Sequence, residues 1–217
     1  MRQIKRIVSA LLVIVSFLAA VKFLSQIVYE HYDEEIIVCL DAGHGGSDSG
    51  AVSDGETRLE KNDNLALTLK VKEKLEAKGI TVVLTREDDS DVSLKERCRI
   101  ANRKHCDLFI SIHRNSAGSS ANGVEAWIAT TAGLKENKAA KAAVENICGV
   151  TGQKDRGVKR GYRDSAVGNY YTNSGTKMPS MLLEVGFITN DGDNSVFDSK
   201  LDECAEAIVD AVIYSFF

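Results

Sequence analysis

Two histidines, His44 in LDAGHGGSDSG and His113 in FISIHRN, closely follow apolar runs of strand length, and carboxylates stand at Glu60 and Glu184. The chain has only four histidines, so placing two of them at strand ends is informative. A strand's carboxyl end is where an open α/β sheet builds its site. Two imidazoles and one carboxylate form a three-ligand set that leaves zinc a fourth position for water, the arrangement of hydrolytic centres rather than closed structural ones. The residue types therefore point to a hydrolase that carries one Zn2+ per chain.

Each residue has a plainer reading. Glu60 opens a stretch of helical period over residues 59–78, where the helix dipole favours a carboxylate in any case. Only the need for a third, anionic ligand raises it above that role, and Glu56 competes on the same logic. Asp48 and Asp54 are candidates to orient the ligands by accepting from them. Glu184 lies in the apolar run SMLLEVGF, where lost solvation raises a carboxyl's pKa toward the range of a general base working near neutrality. Strand alternation turns Arg114 away from the metal and brings Asn115 back toward it. His31 and His105 carry no such partners. The glycines around His44 do not form a nucleotide loop: position 48, where GxGxxG needs its third glycine, is Asp48, and no P-loop or GxSxG pattern fits. Small neighbours leave the imidazole approachable by a ligand and a bulky substrate.

Strand candidates at 36–41, 80–85, 107–112, 123–129 and 180–185 alternate with helix candidates at 59–78, 93–104, 134–148 and 195–215, a pattern that predicts an α/β layered domain. In the last helix Leu201, Ala205, Ile208, Val209, Val212, Ile213 and Phe216 recur at steps of three and four, giving one sheet-facing stripe. Leu65, Leu69 and Leu75 suggest a weaker stripe in 59–78. Pro179, the single proline, introduces a strand. Segment 151–179 is glycine-rich and polar without a period, and is expected to form a wall of the substrate groove.

Residues 7–21 are an unbroken apolar run preceded by Arg2, Lys5 and Arg6. Residues 1–30 are thus expected to be a signal peptide or an uncleaved membrane anchor, which places residues 31–217 outside the cytoplasm. Past residue 30, 23 basic side chains face 30 acidic ones, a net charge of −7. Nucleic acid is excluded as a partner, because binding it depends on neutralising phosphates. The five cysteines include no CxxC pair. Cys39 and Cys204 read as core residues, and one disulfide elsewhere stays open.

Five ordered blocks, LDAGHGGSDSGAV, Glu60 with the helix to LTRE, LKERCRIANRKHCDLFISIHRNS, NGVEAWI and LLEVGFITN, resemble the zinc-dependent N-acetylmuramoyl-L-alanine amidases of bacterial cell walls over about residues 36–215. The resemblance implies a three-layer α/β/α domain with a mixed, mostly parallel central sheet, and hydrolysis of the amide between the muramic acid lactyl group and L-alanine of peptidoglycan. It puts the zinc ligands at His44, Glu60 and His113, deciding Glu60 over Glu56, and the catalytic glutamate at Glu184. Two features depart from the family pattern. Arg114 stands where relatives usually carry a small residue, which predicts a more cationic groove rim. Only seven residues, 116–122, separate IHRN from GVEAW, too few for the inhibitory helix that some relatives insert there. A separate activating protein remains an expected partner. The architecture is similar to the short amidases of spore cortex, with vegetative wall remodelling as the alternative role. A zinc peptidase cutting within the stem peptide and a non-catalytic peptidoglycan-binding protein of the same fold are the rival functions.

Overall fold

Alternating side chains along six strands, β1 (Ile37–Ala42), β2 (Thr81–Leu84), β3 (Leu108–Asn115), β4 (Val124–Ile128), β5 (Asp155–Arg160) and β6 (Ser180–Phe187), divide the interior into two unequal halves. The computed structural model describes residues 35–163 and 168–217 together with Ser16, so the predicted leader and His31 lie outside the described residues. Among the described residues no helix is long and apolar enough to cross a membrane.

The sheet order is β2-β1-β3-β6-β4-β5. Every neighbouring pair is parallel except β4 with β6, which is antiparallel. On one face Val38, Leu40, Ile110, Ile112, Leu183 and Ala126 pack against three long helices, α1 (Glu60–Ala77), α3 (Leu134–Thr151) and α6 (Leu201–Phe216). On the other face Cys39 and Phe109 pack with Ala101 of α2 (Leu94–Arg103) and with Cys106. The short α4 (Tyr171–Gly175) lies beside α2, where Asn102 Nδ2 donates to the Gly175 carbonyl at 2.9 Å. These are the three layers expected, with a mixed and mostly parallel sheet between them. Residues 36–217 form one compact unit.

Local chemistry starts and stops these elements. Ser93 Oγ accepts from Glu96 N at 3.2 Å at the start of α2. In α3, Glu136 folds back to accept from Gly133 N at 3.0 Å, and Gly152 ends the helix at φ 73°. Pro179 precedes β6 as expected and offers its carbonyl to Phe109 N at 2.9 Å.

Several expectations need correction. The stripe of α1 is Leu67, Val71 and Leu75, each fully buried, whereas Leu69 is exposed. Each of the three contributes about 1.5–3 kcal/mol by leaving water. They share a face with Asn64 and Thr68, so the helix is amphipathic about a partly polar line that an apolar count misses. The single helix expected over 195–215 is two: α5 (Asp191–Ser199) and α6, separated at Lys200, where φ is −125° and ψ 20°. Asn190 caps α5 by accepting from Asp193 N at 2.9 Å, and Asp193 Oδ2 accepts from Phe187 N at 2.7 Å and Gly123 N at 2.9 Å, tying the helix start to β6. Segment 151–179 contains β5 and α4 and is not wholly irregular. Cys39 and Cys204 are core residues, and all five thiols are free.

Candidate metal centre

The carboxyl ends of β1, β3 and β6 lie side by side, and the predicted site residues gather there. Ala42 of β1 is opposite Ile112 of β3, and His113 is opposite Glu184 of β6. Alternation sends Ile110, Ile112, Leu183 and Val185 into the main core. Ser111, His113, Leu182 and Glu184 line the opposite side, a cleft of about 670 Å³. Tyr162, Arg163 and Asn169–Thr172 form its other wall, so the segment before β6 does bound the groove.

His44 lies past the end of β1 in a backbone conformation with φ 62°, unusual for a residue with a side chain. Two arginines hold that turn. Arg97 donates to the carbonyls of Ala42 and His44, each at 2.7 Å, and Arg86 donates to those of Ala42 at 2.9 Å and Gly43 at 3.0 Å. Arg97 is itself fixed by buried Asp41 at 2.7 Å, whose carboxylate also accepts from Thr85 and Ser111, each at 2.6 Å. Such buried polar groups are tolerated because each is partnered. Sequence reasoning assigned no part to Asp41, Arg86 or Arg97; the arginines' nearness to the site depends on long-range folding that local spacing does not display.

Glu60, the first residue of α1, reaches both imidazoles. Its Oε1 lies 2.8 Å from His113 Nδ1 and its Oε2 3.2 Å from His44 Nε2. Three donors orient the carboxylate: Ala51 N at 2.8 Å, Arg114 N at 3.1 Å and Asn64 Nδ2 at 3.2 Å. Glu56, the rival, is exposed in the preceding loop. Asp48 takes the orienting role, with Oδ2 2.8 Å from His44 Nδ1. An ionised carboxylate can only accept, so Nδ1 carries a proton, and Nε2, 3.2 Å from Glu60, is the nitrogen that would hold a metal. Asp54 is exposed.

The glycines serve the site differently from expectation. A Cβ on Gly43 would stand 2.2 Å from the His113 ring, and one on Gly50 would stand 2.5 Å from His44 and 2.7 Å from Glu60. The missing side chains make room for the three site residues themselves.

One donor atom from each of His44, Glu60 and His113 lies within 4.8 Å of the others. Two ring nitrogens and one carboxylate oxygen are donors that zinc accepts in catalytic sites. The local field also suits a cation. Burial opposes a charge on His44, yet Glu60 and Asp48 outweigh it and push its pKa up to about 9. Burial likewise works against ionised Glu60, but the two histidines hold its pKa well below the usual carboxylate range. The residues present fit a resident divalent ion.

Glu184 is the opposite case. It is 7% exposed, and its Oε2 is buried without a hydrogen-bond partner. Burial is the main cause that pushes its pKa up to about 7, with Glu60 and Glu125 adding to the rise and His113 and Arg163 opposing it.

The cationic rim expected from Arg114 does not exist. Arg114 is 2% exposed and points away from the cleft, as alternation requires, to pair with Asp63, reach Asn194 Oδ1 at 2.7 Å and lie 4.3 Å over the Phe197 ring. An exposed cation at the groove is Arg163, which donates to Asn115 Oδ1 and to the Ser116 carbonyl. Residues 116–122 form a short turn without a helix. A second hollow of about 740 Å³ between α3 and α6 is lined by Glu145, Glu203, Glu206, Asp210 and Tyr214 and holds neither imidazole nor thiol.

The N-acetylmuramoyl-L-alanine amidase family model matches residues 38–214. The chain belongs to this family. The amidase is 37% identical over 180 residues to N-acetylmuramoyl-L-alanine amidase LytC of Bacillus subtilis, covering 81% of this chain and 34% of LytC. Its fold matches the catalytic domain of the amidase CwlV from Bacillus (Paenibacillus) polymyxa var. colistinus with a TM-score of 0.73 and 36% identity, over 82% of this chain and 96% of that one. It also matches the CwlD amidase from Clostridioides difficile, solved in complex with the GerS lipoprotein, with a TM-score of 0.75 and 29% identity over 83% and 98% of the two chains. The amidase is thus an enzyme by family and by fold.

Proposed function

We propose that this enzyme hydrolyses the amide between the muramic acid lactyl group and L-alanine in peptidoglycan, with one zinc ion held by His44, Glu60 and His113 and with Glu184 as the catalytic base. The observation that carries the reading is the juxtaposition of three convergent donors with an unpartnered, buried carboxyl one strand away. Family membership supports the substrate class.

Zinc, when bound there, polarises a carbonyl oxygen and acidifies water. The remaining work belongs to the chain. Asp48 fixes the His44 ring, while Ala51, Asn64 and the Arg114 amide keep the Glu60 carboxylate aimed. Glu184 accepts the proton of the attacking water at its free Oε2, then passes it to the departing nitrogen of L-alanine. A base with pKa near neutrality can make both transfers. No serine or cysteine nucleophile is required.

The same reading places the enzyme outside the cytoplasm, with residues 1–30 as its signal peptide or membrane anchor. An activating protein partner belongs to it too; the related CwlD amidase is solved in complex with the GerS lipoprotein. Cortex muramic-lactam content in a deletion strain separates a spore-cortex role from vegetative remodelling. Digestion of purified peptidoglycan tests the activity: new L-alanine amino termini with intact glycan support the amidase, whereas termini within the stem peptide identify a peptidase and refute it.

A further inference from the structure

Beside the cleft lies a smaller basin of about 260 Å³, reached past Asn115, Ser116 and Arg163, which line both. Its far side is built by β4 and β5. Glu125 of β4 lies directly opposite Glu184 in the antiparallel register, so side chains bound in the basin are neighbours of the proposed base.

Three cations line this basin: Arg156, Lys159 and Arg163. Among the described residues that line it the one carboxylate is Glu125, which is buried and partnered at both oxygens. Glu125 Oε2 accepts from Arg156 Nε at 2.6 Å and from Lys159 Nζ at 2.7 Å, and Oε1 accepts from Trp127 Nε1 at 2.9 Å. Among the described lining residues one negative charge thus faces three positive ones, on a body whose net charge past residue 30 is −7. The excess is local and set against the protein's overall field.

Donor capacity is also left over. Lys159 has three N–H donors and uses one on Glu125. Arg163 is exposed, and its acceptors among the described residues, the Asn115 amide oxygen and the Ser116 carbonyl, are both neutral. A guanidinium whose fork faces neutral oxygens is ready for a two-oxygen anion. A neutral sugar would gain little from such a place, and an amide would leave its own N–H groups facing cations.

We propose that this basin is a carboxylate subsite that binds the acidic residue of the peptide leaving group, making the enzyme selective for stem peptides with a free carboxylate over their carboxamide forms. The inference rests on the amidase reading for its substrate, but its test does not require turnover. Charge-assisted hydrogen bonds of this kind discriminate by about tenfold or more.

The test measures binding to the full-length chain by titration calorimetry. The probes are L-alanyl-D-glutamic acid and L-alanyl-D-glutamine, both with blocked carboxyl termini, and inorganic phosphate. The wild type is expected to bind the acidic peptide at least about tenfold more tightly than the amide. Arg163→Gln should reduce that ratio to near one, and Lys159→Gln should reduce it partly. Equal binding of the two peptides, a ratio that survives both substitutions, or phosphate competing as well as the acidic peptide would each overturn the proposal. If peptidoglycan digestion shows no L-alanine release while acid-selective binding holds, the amidase reading fails and the subsite stands.

Discussion

Replacing Glu184 by glutamine should shift the stability of the ion-free protein in the variant's favour as pH rises. In the folded chain burial holds the Glu184 proton up to a pKa of about 7, against 4.5 for a free glutamate. Between those values the folded state binds more protons than the unfolded one, so Glu184 contributes stability below pH 4.5 that is lost as pH rises through about 7. A rise from 4.5 to about 7 corresponds to about 3 kcal/mol. Glutamine does not titrate and escapes the loss. Urea denaturation of chelator-treated wild type and Glu184→Gln at pH 4 and pH 8 measures the effect. The difference between variant and wild type should move by about 3 kcal/mol in the variant's favour between the two pH values. Any fixed cost of the amide group cancels in that comparison. A difference that stays flat across the range would refute the picture of a buried, unpartnered base. In the zinc-loaded enzyme the same substitution should lower turnover by about 10²–10⁴-fold while metal content is kept.

Gly43→Ala should fold yet lose zinc and activity, because the new methyl occupies the place of the His113 ring; metal content near one per chain would contradict this. Asp48→Ala should weaken zinc binding by about 10–100-fold without altering the circular dichroism spectrum, since it removes the acceptor that orients His44. Arg114→Ala should destabilise the fold by about 3 kcal/mol, toward the low end for a broken buried pair, because Arg58 still binds Asp63 at 2.6 Å. Thermal unfolding reads this, and a change under 1 kcal/mol would mean that the buried pair contributes little.

Much of the site was legible because it sits on short-range patterns. His113 and Glu184 are carried by long apolar strands, and His44 by a glycine-flanked turn, so strand ends and residue types were enough to nominate them. The five apolar strands were found for the same reason. β5 was not: it is a half-exposed edge strand, DRGVKR, with one aliphatic residue and no alternation to detect. The break at Lys200 escaped because α5 and α6 both continue a helical period, and the cap at Asn190 signals a start rather than an interruption. Arg114 illustrates a different limit. Its direction followed from alternation, but its burial depends on Asp63, Asn194 and Phe197, which come together only when α1 and α5 pack beside β3. The arginine clamp on residues 42–44 is likewise tertiary. Arg86 and Arg97 read along the chain as a strand-end cation and a helix-surface cation, and only the folded loop supplies the carbonyls that they bind.

Metal content and activity measured together on one preparation test the central claim most directly. The purified full-length enzyme is stripped with chelator, then titrated with zinc while L-alanine amino termini released from peptidoglycan are counted. The account predicts an inactive stripped enzyme, with activity rising in proportion to zinc and levelling at one ion per chain. Full activity in the stripped preparation would contradict it.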